Sequence, residues 1–93
     1  MRVRWLRYAV RNLHDICDYI ATENPEAAEG IGARIESAVE MLASHPQAGR
    51  PGRVAGTREL VVPGTPYIVV YAVAKQIAIL AVLHAARRWP KQF

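Results

Sequence analysis

Tyr67-Ile-Val-Val-Tyr-Ala-Val-Ala-Lys-Gln-Ile-Ala-Ile-Leu-Ala-Val-Leu83 consists of two apolar arms parted by a polar break at Lys75-Gln76. It runs on into His84-Ala-Ala-Arg-Arg-Trp-Pro90. The arms are rich in β-branched and aromatic residues and are short for helices, so they read as strands of a hairpin. Tyr67, Val69, Tyr71 and Val73 fall on one face of the first arm, Ile68, Val70 and Ala72 on the other. A strand apolar on both faces is central in its sheet and covered on both sides. The hairpin therefore carries His84, Arg87, Arg88 and Lys91 out at the end of a central strand.

Working outward, Pro63-Gly-Thr-Pro66 precedes the hairpin, and Pro followed by Gly suits the central positions of a type II turn. Thr57-Arg-Glu-Leu-Val-Val62 before it reads as a strand. Ser44-His-Pro-Gln-Ala-Gly-Arg-Pro-Gly-Arg53 reads as a loop from its prolines and glycines. Upstream the period changes to that of a helix. Leu6, Ala9, Leu13, Ile16, Cys17 and Ile20 share one face of a helix ending near Thr22. Asn24-Pro25 starts a second helix, with Asn as cap, Pro at the first turn and Glu26 near the positive end of the dipole. Its stripe is Ala28, Ile31, Ile35, Ala38, Val39 and Leu42; Gly30 and Gly32 weaken it unless they allow close approach to the first helix. Arg2-Val-Arg-Trp5 alternates like a short edge strand. The expected fold is α+β, in the order β-α-α-β-β-β: a helical hairpin on one face of a mostly antiparallel four-stranded sheet.

The bulk numbers agree with a single domain over residues 1–93, with 52% hydrophobic and 22% charged residues. One cysteine, Cys17, excludes an intrachain disulfide and fits a reducing cytoplasm. Met1-Arg-Val-Arg-Trp-Leu-Arg-Tyr8 does not read as a signal peptide, and Lys75-Gln76 leaves arms too short to cross a bilayer, so no membrane association is expected. No metal spacing is present among His14, His45 and His84, and no cofactor is expected. Charge is divided unevenly: residues 1–48 carry five Arg against seven Asp/Glu, while residues 49–93 carry seven Lys/Arg against Glu59 alone. That asymmetry implies a basic surface facing an acidic protein segment or nucleic acid, or else a solvated face.

Val3-Arg-Trp, Asp18-Tyr-Ile-Ala21, Asn24-Pro-Glu-Ala-Ala28, His45-Pro46, Gly49-Arg50, Thr65-Pro-Tyr67 with Tyr71, and Val82-Leu-His-Ala-Ala-Arg-Arg-Trp-Pro90 carry a family likeness. Their order and spacing resemble the RelE/ParE superfamily of type II toxin–antitoxin toxins, closer to the ParE-like branch. The resemblance implies a small toxin masked by a cognate antitoxin whose disordered segment folds onto it. ParE-like members block DNA gyrase; RelE-like members cleave messenger RNA on the ribosome.

RNA cleavage needs an acid, a base and fixed cations around the phosphate. His84 is a candidate acid or base, with Arg58 and Arg87 as cations. Alternatively His84, sharing strand parity with Leu80 and Val82, is a core-edge histidine bonded to a backbone carbonyl. Arg50, Arg53, Arg58, Tyr67, Tyr71, Arg87, Arg88 and Trp89 are candidates for binding target or antitoxin. Tyr67 and Tyr71 share a face that either stacks a base or packs. Three departures count against cleavage. The tyrosine near the C-terminus that can stack a base in the RelE-like branch is absent, where this chain has only Trp89 and Phe93. RelE-like cleavers commonly carry Arg after the strand tyrosine, where this chain has Ile68, and they carry more lysines than Lys75 and Lys91. The expected mode is therefore binding, without cutting, with ribosome-dependent cleavage as the alternative and a non-toxic nucleic-acid-binding domain as the third.

Overall fold

In the computed structural model, which describes residues 1–91 and 93, the two apolar arms do pair with each other. The elements are β1 (Val3–Trp5), α1 (Arg7–Ala21), α2 (Pro25–Leu42), β2 (Arg50–Pro51), β3 (Arg58–Val61), β4 (Tyr67–Val73) and β5 (Ile77–His84). The sheet runs β1-β5-β4-β3-β2, with β1 parallel to β5 and the other pairs antiparallel. The expected four strands become five, because Arg50–Pro51 inside the predicted loop pairs with Glu59 and Arg58. A two-residue strand ending in proline has no periodicity to show, and proline's missing N–H confines it to an edge.

The turn before β4 follows its composition. Thr65 donates its N–H to the Val62 carbonyl across Pro63-Gly64, and Gly64 takes φ +75°. Asn24 caps α2, its side-chain oxygen accepting from the Ala27 N–H at 3.1 Å, with Pro25 opening the helix. Of the two helical glycines, only Gly32 faces α1: a Cβ there would lie 3.2 Å from the Cys17 sulfur, whereas Gly30 meets nothing.

Both helices pack on one face of the sheet. Ala9, Ile35, Val39 and Leu42 meet Val62, Tyr67, Val69, Tyr71, Ile77, Ile79 and Val82 in the main core. The opposite face holds a second, smaller layer of Ile68, Val70 and Ala81, packed against Leu80, Leu83 and Trp89. The cover on that side is the segment after β5, not a helix. Apolarity on both faces of β4 is thus explained by two unequal cores.

β5 departs from simple alternation. Val70 pairs with Ala81 but Tyr71 pairs with Ile79, leaving Leu80 over as a β-bulge. Ile79 and Val82 therefore both face the helices, while Leu80 turns to the smaller layer. His84 consequently shares a face with Val82 but not with Leu80, which corrects the parity expected from the sequence. Beyond the end of β1, the Val82 N–H donates to the side-chain oxygen of Asn12 on α1 at 3.0 Å, satisfying a strand group that β1 is too short to reach.

Candidate functional site

Glu59 is the sole acidic residue after position 48, and it is 3% exposed on β3. A buried carboxylate must be paired and hydrogen-bonded to stay charged. Glu59 accepts from Arg50 Nη2 at 3.2 Å, from Arg53 Nε at 3.3 Å and from the Arg53 backbone N–H at 2.7 Å. Burial pushes its carboxyl up, but the Arg53 N–H and the two guanidiniums outweigh that and hold it below the usual carboxylate range. Pairing Glu59 with Val70 places it on the face opposite the helices.

The Arg53 guanidinium carbon also lies 3.5 Å from the centroid of a Trp89 ring, in stacking contact. Trp89 in turn donates its Nε1–H to the His84 carbonyl at 2.9 Å. A continuous chain of contacts, Glu59 to Arg53 to Trp89 to His84, therefore ties the β2–β3 loop to the C-terminal segment. Trp89 seals Ile68 and Val70 beneath it.

Arg58 is placed differently. It pairs with Tyr71, and its Nη1 donates to the Gly49 carbonyl at 2.6 Å. Tyr71 is fully buried; its hydroxyl accepts from the Gly49 N–H at 2.8 Å and donates to the Pro46 carbonyl at 2.9 Å. Both side chains hold the loop that carries Arg50 and Arg53, and the Tyr71 ring is closed to any stacking base.

At the other end of β4, Tyr67 pairs with His84, and their rings meet edge to face at 5.6 Å. His84 Nδ1 accepts from the Ala86 N–H at 3.1 Å. The histidine is thus bonded to a backbone N–H and not to the carbonyl of the alternative sequence reading, and it borders a cleft. That cleft, of about 380 Å³, lies between α1 and the end of β5, lined by Asn12, Asp15, Tyr19, Tyr67, His84, Arg87, Arg88 and Trp89 among others. Arg87 reaches over the exposed ring of Tyr19 at 5.8 Å.

The structure therefore brings together Arg50 with Arg53 and Trp89 on one side, and Tyr67 with His84, Arg87 and Arg88 on the other. It does not bring His84 to Arg58: their partners on β4 are four residues apart, on the order of 13 Å along the strand. Glu59, Asn12 and Tyr19 are not among the site residues the sequence reading names, although Tyr19 lies within the quoted Asp18-Tyr-Ile-Ala21. Only Glu59 had a signal, as the lone acid in a basic half. Among the described residues no three His, Cys, Asp or Glu side chains converge as metal ligands, and no helix is long and apolar enough to cross a membrane. Burial pushes the Cys17 thiol up, with Asp18 and Glu36 adding to it, so the thiolate is disfavoured.

Residues 3–89 match the family described as the ParE toxin of type II toxin–antitoxin systems, parDE. The chain is 46% identical over 90 residues to the putative toxin Y4kP of Sinorhizobium fredii (97% of this chain, 94% of the relative). It is 39% identical over 87 residues to toxin RelE2 of Caulobacter vibrioides (92% and 97%). Among solved structures, it superposes on a chain of the chromosomal ParDE system from P. aeruginosa with a TM-score of 0.80, at 32% identity over 90% of this chain and 95% of the other. It superposes less closely on a chain of the toxin–antitoxin complex RelBE2 from Mycobacterium tuberculosis, with a TM-score of 0.61 at 26% identity, covering 92% of each.

Proposed function

The chain belongs to the ParE toxin family of type II toxin–antitoxin systems, and on that footing we propose that it arrests growth by binding DNA gyrase, without cutting RNA. A cognate antitoxin neutralises it, and both act in the cytoplasm. The observation that supports binding over cleavage is the burial of Ile68. This position follows the strand tyrosine, where a RelE-like cleaver resembles the present chain but carries Arg. Here it is 3% exposed in an apolar layer with Val70 and Ala81 under Trp89. A phosphate clamp has no access there. The separation of Arg58 from His84 weighs in the same direction, since acid–base groups and cations must converge on one phosphate.

For the antitoxin, the reading is a broad contact along the helical hairpin and the sheet edge, with its acidic residues meeting Arg50 and Arg53. Ordering a disordered segment carries an entropic cost that only a wide contact offsets. The alternative of a ribosome-dependent nuclease rests on His84 and Arg87, which do line one cleft. Inducing the chain in cells separates the two: transcript ends and plasmid supercoiling are followed together. Altered supercoiling or DNA breaks with unchanged transcript ends is the expected result. New ends at codons would overturn it, and growth without any effect would favour a non-toxic nucleic-acid-binding domain.

A further inference from the structure

Arg53 differs from the other cations of the basic half in being fixed on three sides. Its Nε and backbone N–H both bond the buried Glu59, and its guanidinium carbon sits over a Trp89 ring, 3.5 Å from the centroid. Among the described residues, Nη1 and Nη2 have no partner, and the side chain is 48% exposed. The free end of a guanidinium is a planar fork that matches the two oxygens of a carboxylate. An arginine on the surface must ordinarily give up rotamer freedom to offer that fork; here the fold has already done so.

From this we infer that Arg53 is a preorganised two-pronged anchor for a single carboxylate of the antitoxin, with Glu59 and Trp89 as its positioning residues. The inference rests on the reading of the chain as the toxin of an antitoxin pair. Charge at the cluster favours a lone carboxylate over a nucleic-acid backbone. Arg50 and Arg53 are set against Glu59, which leaves one uncompensated positive charge. A duplex presents closely spaced phosphates and is held by several uncompensated cations acting together. Arg58, spent on the Gly49 carbonyl, contributes to the loop and not to this anchor.

The deciding comparison is Arg53→Lys against Arg53→Ala, in the full-length toxin titrated with purified cognate antitoxin. Lysine keeps the charge but has neither a fork nor a stacking plane, so both variants are expected to bind about tenfold or more weakly, as truncating one side of a hydrogen-bonded charge pair does. Trp89→Ala is expected to lose affinity, and Trp89→Phe to recover most of it by restoring the flat support. Circular dichroism verifies the fold of each variant. Wild-type affinity in Arg53→Lys would overturn the anchor, because charge alone would then suffice. Failure of Trp89→Phe to recover what Trp89→Ala loses would overturn the positioning role. Competition of a short DNA duplex with antitoxin for the wild type, lost in Arg53→Lys, would overturn the choice of carboxylate. Absence of any complex between wild type and antitoxin would instead overturn the underlying reading of the pair.

Discussion

The hydroxyl of Tyr71, at the centre of β4, accepts the N–H of Gly49 at 2.8 Å from the middle of a loop twenty-two residues earlier. The same hydroxyl donates to the Pro46 carbonyl, so one buried group fixes two points of the segment that leads from α2 into Arg50. Tyr71→Phe would leave a backbone N–H and a carbonyl without partners in the interior. The expected loss is about 1–3 kcal/mol of stability, read from urea unfolding. A change indistinguishable from zero would show that the loop is held by other contacts.

Glu59 makes stability depend on pH with a definite sign. Its carboxyl is held below the ordinary glutamate value of 4.5 in the folded protein, so the folded state favours the ionised form. The stabilisation is fully present above the unfolded value and is lost as pH falls through the folded one. Thermal unfolding followed from neutral pH to about pH 3 should show a steep acid limb that Glu59→Gln flattens. Equal acid limbs in the two proteins would place the sensitivity elsewhere.

Gly30 and Gly32 occupy the same helix in opposite surroundings. A methyl group at Gly30 meets nothing, so Gly30→Ala should stabilise by about 0.5–1 kcal/mol through helix propensity. At Gly32 the added carbon would crowd the Cys17 sulfur at 3.2 Å, which offsets that gain. Gly32→Ala should therefore trail Gly30→Ala in melting temperature, and Cys17→Ala should close the gap. Identical shifts for both glycines would mean that the helices separate freely to make room.

Much of this architecture was legible because the hairpin is written in β-branched runs broken at Lys75-Gln76, and α2 in its Asn24-Pro25 start. The bulge at Leu80 was not legible, since it depends on how β5 meets β4 and not on β5 alone. The strand Arg50–Pro51 exists only because Glu59 and Arg58 lie opposite it. The arginines showed a similar limit. By sequence Arg50, Arg53 and Arg58 are alike candidates for binding target or antitoxin. Their ends are instead divided between a buried carboxylate and a loop carbonyl, a distinction set by partners distant in the chain. Tyr67 and Tyr71 looked equivalent by spacing, yet one borders the cleft and the other is sealed in the core.

Ile68 is buried where a RelE-like cleaver would display a cation, and the proposal resting on it is that this toxin occupies DNA gyrase without cutting RNA. Titrating the purified toxin into a supercoiling reaction of purified DNA gyrase on relaxed plasmid tests it most directly. Supercoiling should fall as toxin is added and return when cognate antitoxin follows. Undiminished supercoiling at every toxin concentration, from a preparation that still halts growth when expressed, would contradict it.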